Sequence, residues 1–336
     1  MRSCFTLAAV LLPLAACSST PSNPGSDAAV GTDVVTAADA VTADTGNAPA
    51  DVPATPADVP STPTDVPSSP SCGMERPTIT GVRGTEGLVI GPDGTIYYSQ
   101  NGAVGRLPPG GAPTNRWVTL TGASTVWGLA LDTTRRRLYV GSPATQSLFA
   151  VDIAADPPTA STFLMGAGQP NGLTIDADGN VFYSDFGGGH VYRVNPDGMR
   201  SQVTTARIAS PNGVAFGPDG ALYVESYSAG TLLKLTLTDG RESARSTVAS
   251  GLGNPDGLAF DADGRIYVGD NGGRRLIRLD ADGSNPEVLG MGIAAAANVE
   301  FGAGALPCTD IYVASSGTLF RYTMGSARGA AVPWHR

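Results

Sequence analysis

Histidine is nearly missing from this chain of 336 residues, which carries two, His190 and His335. That scarcity disfavours a histidine-built zinc site, and with His190 in a glycine-rich loop and His335 at the C-terminus no histidine dyad can be assembled at one level. Lysine is scarcer still, with Lys234 alone among scattered arginines. Apart from Arg135-Arg136-Arg137, in a predicted hairpin turn, no basic run could follow a phosphate backbone, so no nucleic-acid partner is expected. No apolar run reaches the length that a membrane-spanning helix needs. The sequence also has no Gly-x-Ser-x-Gly elbow, no phosphate loop and no His-Glu-x-x-His helix. Helical periodicity is absent as well, and 44 glycines with recurrent Asp-Gly pairs point to tight hairpins.

The N-terminus reads as a processing signal over residues 1–16. Arg2 supplies the positive start, Phe5 to Ala16 is apolar, and small residues precede Cys17. Leu14-Ala15-Ala16-Cys17 resembles the lipobox of bacterial lipoproteins, which implies cleavage before Cys17 and acylation of that cysteine. Ser18 stands where an aspartate would imply retention at the inner membrane. The resemblance therefore implies an outer-membrane lipoprotein, periplasmic or surface-facing, that touches the membrane through its lipid anchor only.

Residues 17–71 form the lipidated tether. They are almost entirely Ala, Thr, Ser, Pro, Val, Gly and Asp, with Asp-Val-Pro recurring at 51, 58 and 65, and cannot build a core. Seven aspartates there account for most of the chain's net charge of −9, so residues 72–336 are only mildly acidic. Of the four cysteines, Cys4 leaves with the signal and Cys17 is acylated. An exported chain can oxidise the remaining pair, so a Cys72–Cys308 disulfide is expected.

From residue 86 onward the chain repeats. Glu86, Trp127, Asn171, Asn212, Asp256 and Asn298, spaced 41, 44, 41, 44 and 42 apart, each open a short apolar run, a turn and a Tyr- or Phe-containing strand. A period near 42 residues built from short strands is the signature of a β-propeller. The expected fold is all-β, with six four-stranded antiparallel blades. In repeat five the strands are expected at 257–260, 265–268, 275–279 and 287–289. The last repeat supplies three, at 299–301, 311–313 and 319–322, so Pro77 to Val82 is expected to complete it and close the ring. Nothing points to more than one copy, and a monomer is expected.

The innermost strands of a propeller line its central channel, so equal register places the six residues at one height. Glu86, Asn212 and Asp256 then present oxygen ligands from three blades, with Asn171 beside them. Oxygen donors carrying two negative charges suit Ca²⁺ or another hard divalent cation.

Taken in order, Thr85-Glu86-Gly87, Pro170-Asn171-Gly172, Pro211-Asn212-Gly213-Val214, Pro255-Asp256-Gly257-Leu258 and Asn298-Val299-Glu300-Phe301-Gly302 resemble the motifs of the gluconolactonase, senescence-marker-protein and luciferin-regenerating-enzyme family. The resemblance covers residues 77 to 336. It implies that Glu86, Asn212 and Asp256 bind a divalent metal, that Asn171 contacts substrate and water, and that Asp256 serves as general base. The implied reaction is hydrolysis of a small-molecule lactone or related ester. The family's sugar-lactone enzymes place an arginine two residues before Asn171, where this chain has Gln169. Gln169 and Trp127 are accordingly read as substrate-binding, Trp127 as a flat wall suited to a more hydrophobic lactone or an aryl ester. A non-catalytic, metal-stabilised propeller that binds a ligand or partner protein at the cell envelope is the competing reading.

Asp185, Glu225 and Asp270 end the second strands of their repeats and could face the same mouth, but strand-end acids more often solvate a turn and they are read that way. The three Asp-Ala-Asp-Gly stretches at 176, 261 and 280 echo half a calcium-binding loop but lack its spaced glutamate, and are read as turns.

Overall fold

The computed structural model describes residues 78–84, 86–325 and 327–330. The signal, the tether, Cys17 and Cys72 lie outside these residues, so the lipidation and the disulfide are not described. Cys308 is half-buried and unbridged among the described residues.

Six four-stranded antiparallel sheets, and no helix, make up the described chain. Blades 1 to 5 each take consecutive strands, the inner ones being Leu88–Ile90, Leu129–Asp132, Pro170–Ile175, Pro211–Phe216 and Pro255–Phe260. Blade 6 has Val299–Phe301, Asp310–Ser315 and Thr318–Thr323, completed by Thr78–Ile79 from the other end of the domain. Thr78 pairs with Phe320 and Ile79 with Leu319. Each inner strand contacts the next around the circle, and blade 6 contacts blade 1. Repeat five follows the expected strands, with its inner strand starting two residues earlier, at Pro255.

The cores lie between blades. Between blades 1 and 2, Val89, Tyr97 and Val104 meet Leu129, Leu138 and Val140 in one buried cluster. Strands covered on both faces read as apolar runs with few polar breaks, as Leu138-Tyr139-Val140 does. Leu138 and Leu148 are fully buried, each contributing about 2 kcal/mol.

All three Asp-Ala-Asp-Gly stretches are turns. Gly179, Gly264 and Gly283 donate back to the carbonyls of Asp176, Asp261 and Asp280, and all three glycines have positive φ. The Asp261 carboxylate is consumed locally, accepting from the backbone of Asp263 and Arg265, from Arg265 Nε and from the Tyr267 hydroxyl.

One expected position is displaced. Trp127 N donates to Gly141 O and Gly141 N to Gly128 O, and in blade 6 the same pair of bonds joins Ala297 N to Ala314 O and Ala314 N to Asn298 O. Ala297 therefore holds the register of Glu86, Trp127, Asn171, Asn212 and Asp256, and Asn298 takes the place of the glycine that follows it. Counted back from Phe301-Gly302 as Asn212 is from Phe216-Gly217, Ala297 falls in line and Asn298 one residue past it.

Candidate functional site

Three inner strands are interrupted where their side chains reach the channel. The ladder to the second strand shifts register between Pro170 and Leu173, between Pro211 and Val214 and between Pro255 and Gly257. These bulges contain Asn171, Asn212 and Asp256, and a bulge re-aims a side chain that a regular ladder would hold in the pleat. Glycine follows each because the inner strands come so close together there. A Cβ at Gly128 would collide with the Asn171 carbonyl, and one at Gly172 with the Asn212 carbonyl. In blades 1 and 3 a serine of the second strand ties this end down. Ser99 Oγ accepts from Gly87 N at 2.8 Å, and Ser184 Oγ accepts from Gly172 N at 2.9 Å and donates to Asn212 O at 2.6 Å.

The result is one small cavity lined by Glu86, Asn171, Asp256 and Asn298, with Leu173, Val214 and Leu258 as its apolar wall and Gly213, next in the chain to the buried Asn212, completing it. It offers about 30 Å³, room for an ion and a water or two rather than a whole substrate.

Asn271 Nδ2 donates to Asp256 Oδ2 at 2.6 Å. The Asn212 amide also hydrogen-bonds the Asp256 carboxylate, and the Asn171 amide does the same for Glu86. The Asn212 Oδ1 oxygen is buried with no donor. Burial raises the Asp256 carboxyl to about 7, against the lowering effect of its two amide partners. Glu86 is pushed well above the usual carboxylate range by burial and then by the charge of Asp256, with the Asn171 hydrogen bond opposing.

The three acids at the ends of second strands separate. Asp185 Oδ1 accepts from Gln169 N and Gly188 N, both at 2.9 Å. Asp270 accepts from Asn254 N and Gly273 N and pairs with Arg275 Nε at 2.7 Å. Both tie loops. Glu225 is fully buried, neither carboxylate oxygen has a partner, and burial followed by the charges of Asp256 and Asp270 holds its pKa well above the ordinary value.

An aromatic row runs beside the cavity. Trp127 meets Phe186 edge-on at 6.1 Å between ring centroids, and Phe186 meets Tyr227 at 5.7 Å. Tyr227 is raised by burial and then by the charges of Asp256, Glu86 and Asp270, which places its hydroxyl within their field. Phe186 and Tyr227 each follow the second strand of their blade, as Asn271 does. Gln169 is not part of the cavity wall. Its carbonyl accepts from Phe186 N, and its side chain lies against Gly187, in the loop that carries Phe186.

Among the described residues no three His, Cys, Asp or Glu side chains cluster closely enough to hold a metal by themselves. A cation here would depend on carboxamide oxygens as much as on carboxylates, as hard divalent ions accept. Donor-free Asn212 Oδ1, on an amide that reaches the buried Asp256 carboxylate, fits such an ion, because an orphaned acceptor and a buried acid are costly without positive charge.

Six closed blades around a channel mouth lined by oxygens define a six-bladed β-propeller with a polar centre. The chain belongs to the SMP-30/gluconolactonase/LRE-like family, whose model matches residues 84–228 and 185–317. It is thereby a lactonase-like propeller at the level of the family. An L-arabinolactonase of Azospirillum brasilense is 35% identical over 63 residues, 19% of this chain and 21% of that protein. The match thus spans about a fifth of that relative's length. Among solved structures, a gluconolactonase from Xanthomonas campestris superposes with TM-score 0.59 at 23% identity, covering 72% of this chain and 87% of that one. Regucalcin from Agrobacterium tumefaciens, described as a calcium-binding protein, superposes with TM-score 0.62 at 19% identity, covering 76% and 94%. At these identities the superpositions establish the fold.

Proposed function

We propose that the propeller hydrolyses a lactone or related ester with a divalent cation, Ca²⁺ foremost, held by Glu86, Asn212 and Asp256. The observation that carries this reading is the buried Asn212 Oδ1, left without a donor on an amide that reaches the Asp256 carboxylate. When bound, the ion supplies positive charge for a carbonyl oxygen that becomes an oxyanion. Asp256 takes a proton from the attacking water, with the cation beside it keeping the carboxylate ionised for that task. Asn271 and Asn212 fix the orientation of that carboxylate through their amide hydrogens. Asn171, held to Glu86, orients the water and the carbonyl group. As the tetrahedral centre collapses the ester C–O bond breaks, the leaving oxygen takes the proton back, and a hydroxy acid is released.

The row Trp127, Phe186 and Tyr227, packed edge to face, supports a substrate with a flat apolar or aryl portion. Gln169, where the sugar-lactone enzymes have arginine, agrees with that choice and also keeps the non-catalytic binding reading in play. At the cell, the lipobox-like Leu14-Ala15-Ala16-Cys17 and the tether support a place on the outer membrane. A panel of sugar, aliphatic and aryl lactones and aryl esters, assayed with Ca²⁺, with chelator and with Asp256→Ala, tests the proposal. The expected result is turnover of aryl lactones that chelation abolishes and Asp256→Ala lowers by about a hundredfold or more. Phe186→Ala should reduce turnover of the aryl members selectively. No chelator-sensitive turnover across the panel would leave the binding module as the better reading.

A further inference from the structure

Blade 4 breaks a rule that the other five keep. The penultimate residue of the second strand is Ser99, Gly141, Ser184, Gly269 or Ala314 in blades 1, 2, 3, 5 and 6, and Glu225 in blade 4. The position lies directly behind the register residues, where blades 1 and 3 use a serine to bind the inner strand. In blade 4 that small space holds a carboxylate with 0% exposure and no hydrogen-bond partner on either oxygen. Its charged neighbours are Asp256 and Asp270, both of its own sign. Asp270 is neutralised by Arg275, which leaves Asp256 and Glu225 facing each other uncompensated.

Gly213 stands between Glu225 and the cavity. It lines the cavity wall, and a methyl group on it would collide with Glu225 Oε2. The glycine keeps a window of bare backbone between the carboxylate and the space beside Asn212, whose own Oδ1 is buried and donor-free. Gly213 thus adjoins both sets of orphaned acceptors, Asn212 next to it in the chain and the Glu225 carboxylate packed against it. Buried acids of like sign are retained at a cost of several kcal/mol unless positive charge arrives.

We propose that Glu225 is the outer carboxylate of the cation centre, supplying through the Gly213 window the negative charge that matches the site to a multivalent ion. It acts from behind Asn212 and Asp256, consistent with the absence of any direct three-carboxylate cluster among the described residues. This rests on the cation reading above and adds to it a residue for which the three-ligand set has no place.

Calorimetric titration with Ca²⁺ and with Tb³⁺ tests it on the wild type, Glu225→Gln and Glu225→Ser, the serine variant copying blades 1 and 3. Both variants should fold, with metal-free thermal stability equal to or above the wild type. Their Ca²⁺ affinity should fall at least about tenfold and their Tb³⁺ affinity further, because the lost Coulomb energy grows with ion charge. Unchanged Ca²⁺ affinity in a folded variant would overturn the proposal. Equal losses for the two ions, or failure of both variants to fold, would overturn it too by assigning Glu225 to support of the strand. A wild type that binds neither ion removes the cation reading itself, and this inference with it.

Discussion

Blades 4 and 6 present the same two positions to the channel and fill them in opposite ways. Blade 4 has a bulge carrying Asn212, with Glu225 behind it, and leaves Asn212 Oδ1 and both Glu225 oxygens buried without donors. Blade 6 has a regular ladder, Ala297 in the register, Ala314 behind, and an asparagine with a partner for each side-chain polar atom at the seam. Asn298 Nδ2 donates to Leu88 O of blade 1 at 2.8 Å, and its Oδ1 accepts from Val299 N at 2.9 Å. The difference separates two uses of a polar residue at a propeller's centre. A satisfied one closes the ring and stabilises it; an unsatisfied one costs folding energy and is kept for something that binds.

The sharpest way to break this contrast is to remove the two asparagines separately. Asn212→Ala should lower Ca²⁺ affinity at least about tenfold, and of metal-free stability it forfeits only the amide contact to Asp256, because Oδ1 has no partner to lose. Asn298→Ala should leave Ca²⁺ affinity unchanged and cost about 1 kcal/mol in denaturant unfolding, the worth of a typical buried hydrogen bond. Reversed outcomes would mean that the blades had been assigned the wrong tasks.

A smaller effect comes from pH. Burial raises Asp256 to about 7 and Glu300 to about 8, and holds Glu86 and Glu225 above the carboxylate range. Their unfolded values lie near 4, so the folded state binds the extra protons. The associated stability is present below pH ~4 and is lost as pH rises through the folded values. Chelated protein should therefore melt several degrees lower at pH 8 than at pH 5. Ca²⁺ should restore the share due to the channel acids. Glu300, in blade 6 and outside the cavity wall, should keep its share, and Glu300→Gln should remove that remainder. A flat pH profile in chelator would contradict the raised pKa of these acids.

Most of the architecture was legible because it repeats. The period, the Tyr-containing second strands and the missing fourth strand of blade 6 all follow from local patterns, and Thr78–Ile79 pairs where a closing strand was expected. The register of blade 6 was misread because Asn298 was matched by residue type. Counting back from Phe301-Gly302, as from Phe216-Gly217, would have placed Ala297 in line. Asp185, Glu225 and Asp270 seemed alike for a similar reason. Asp185 and Asp270 are the last residues of their strands and Glu225 is the penultimate one, and with a period of two their side chains leave opposite faces. Lining Glu225 up with Ser99 and Ser184 would have exposed it. The aromatic row and Asn271 were out of reach, since they meet only when loops from neighbouring blades are brought to one mouth.

The central claim is that the channel oxygens form a cation centre. Its most direct test is calorimetric titration of the propeller with Ca²⁺, wild type against Glu86→Ala. The wild type should take up one ion and the variant should bind at least about tenfold more weakly, a carboxylate ligand having been lost. Equal affinity in the two proteins, or no binding by the wild type, would contradict it.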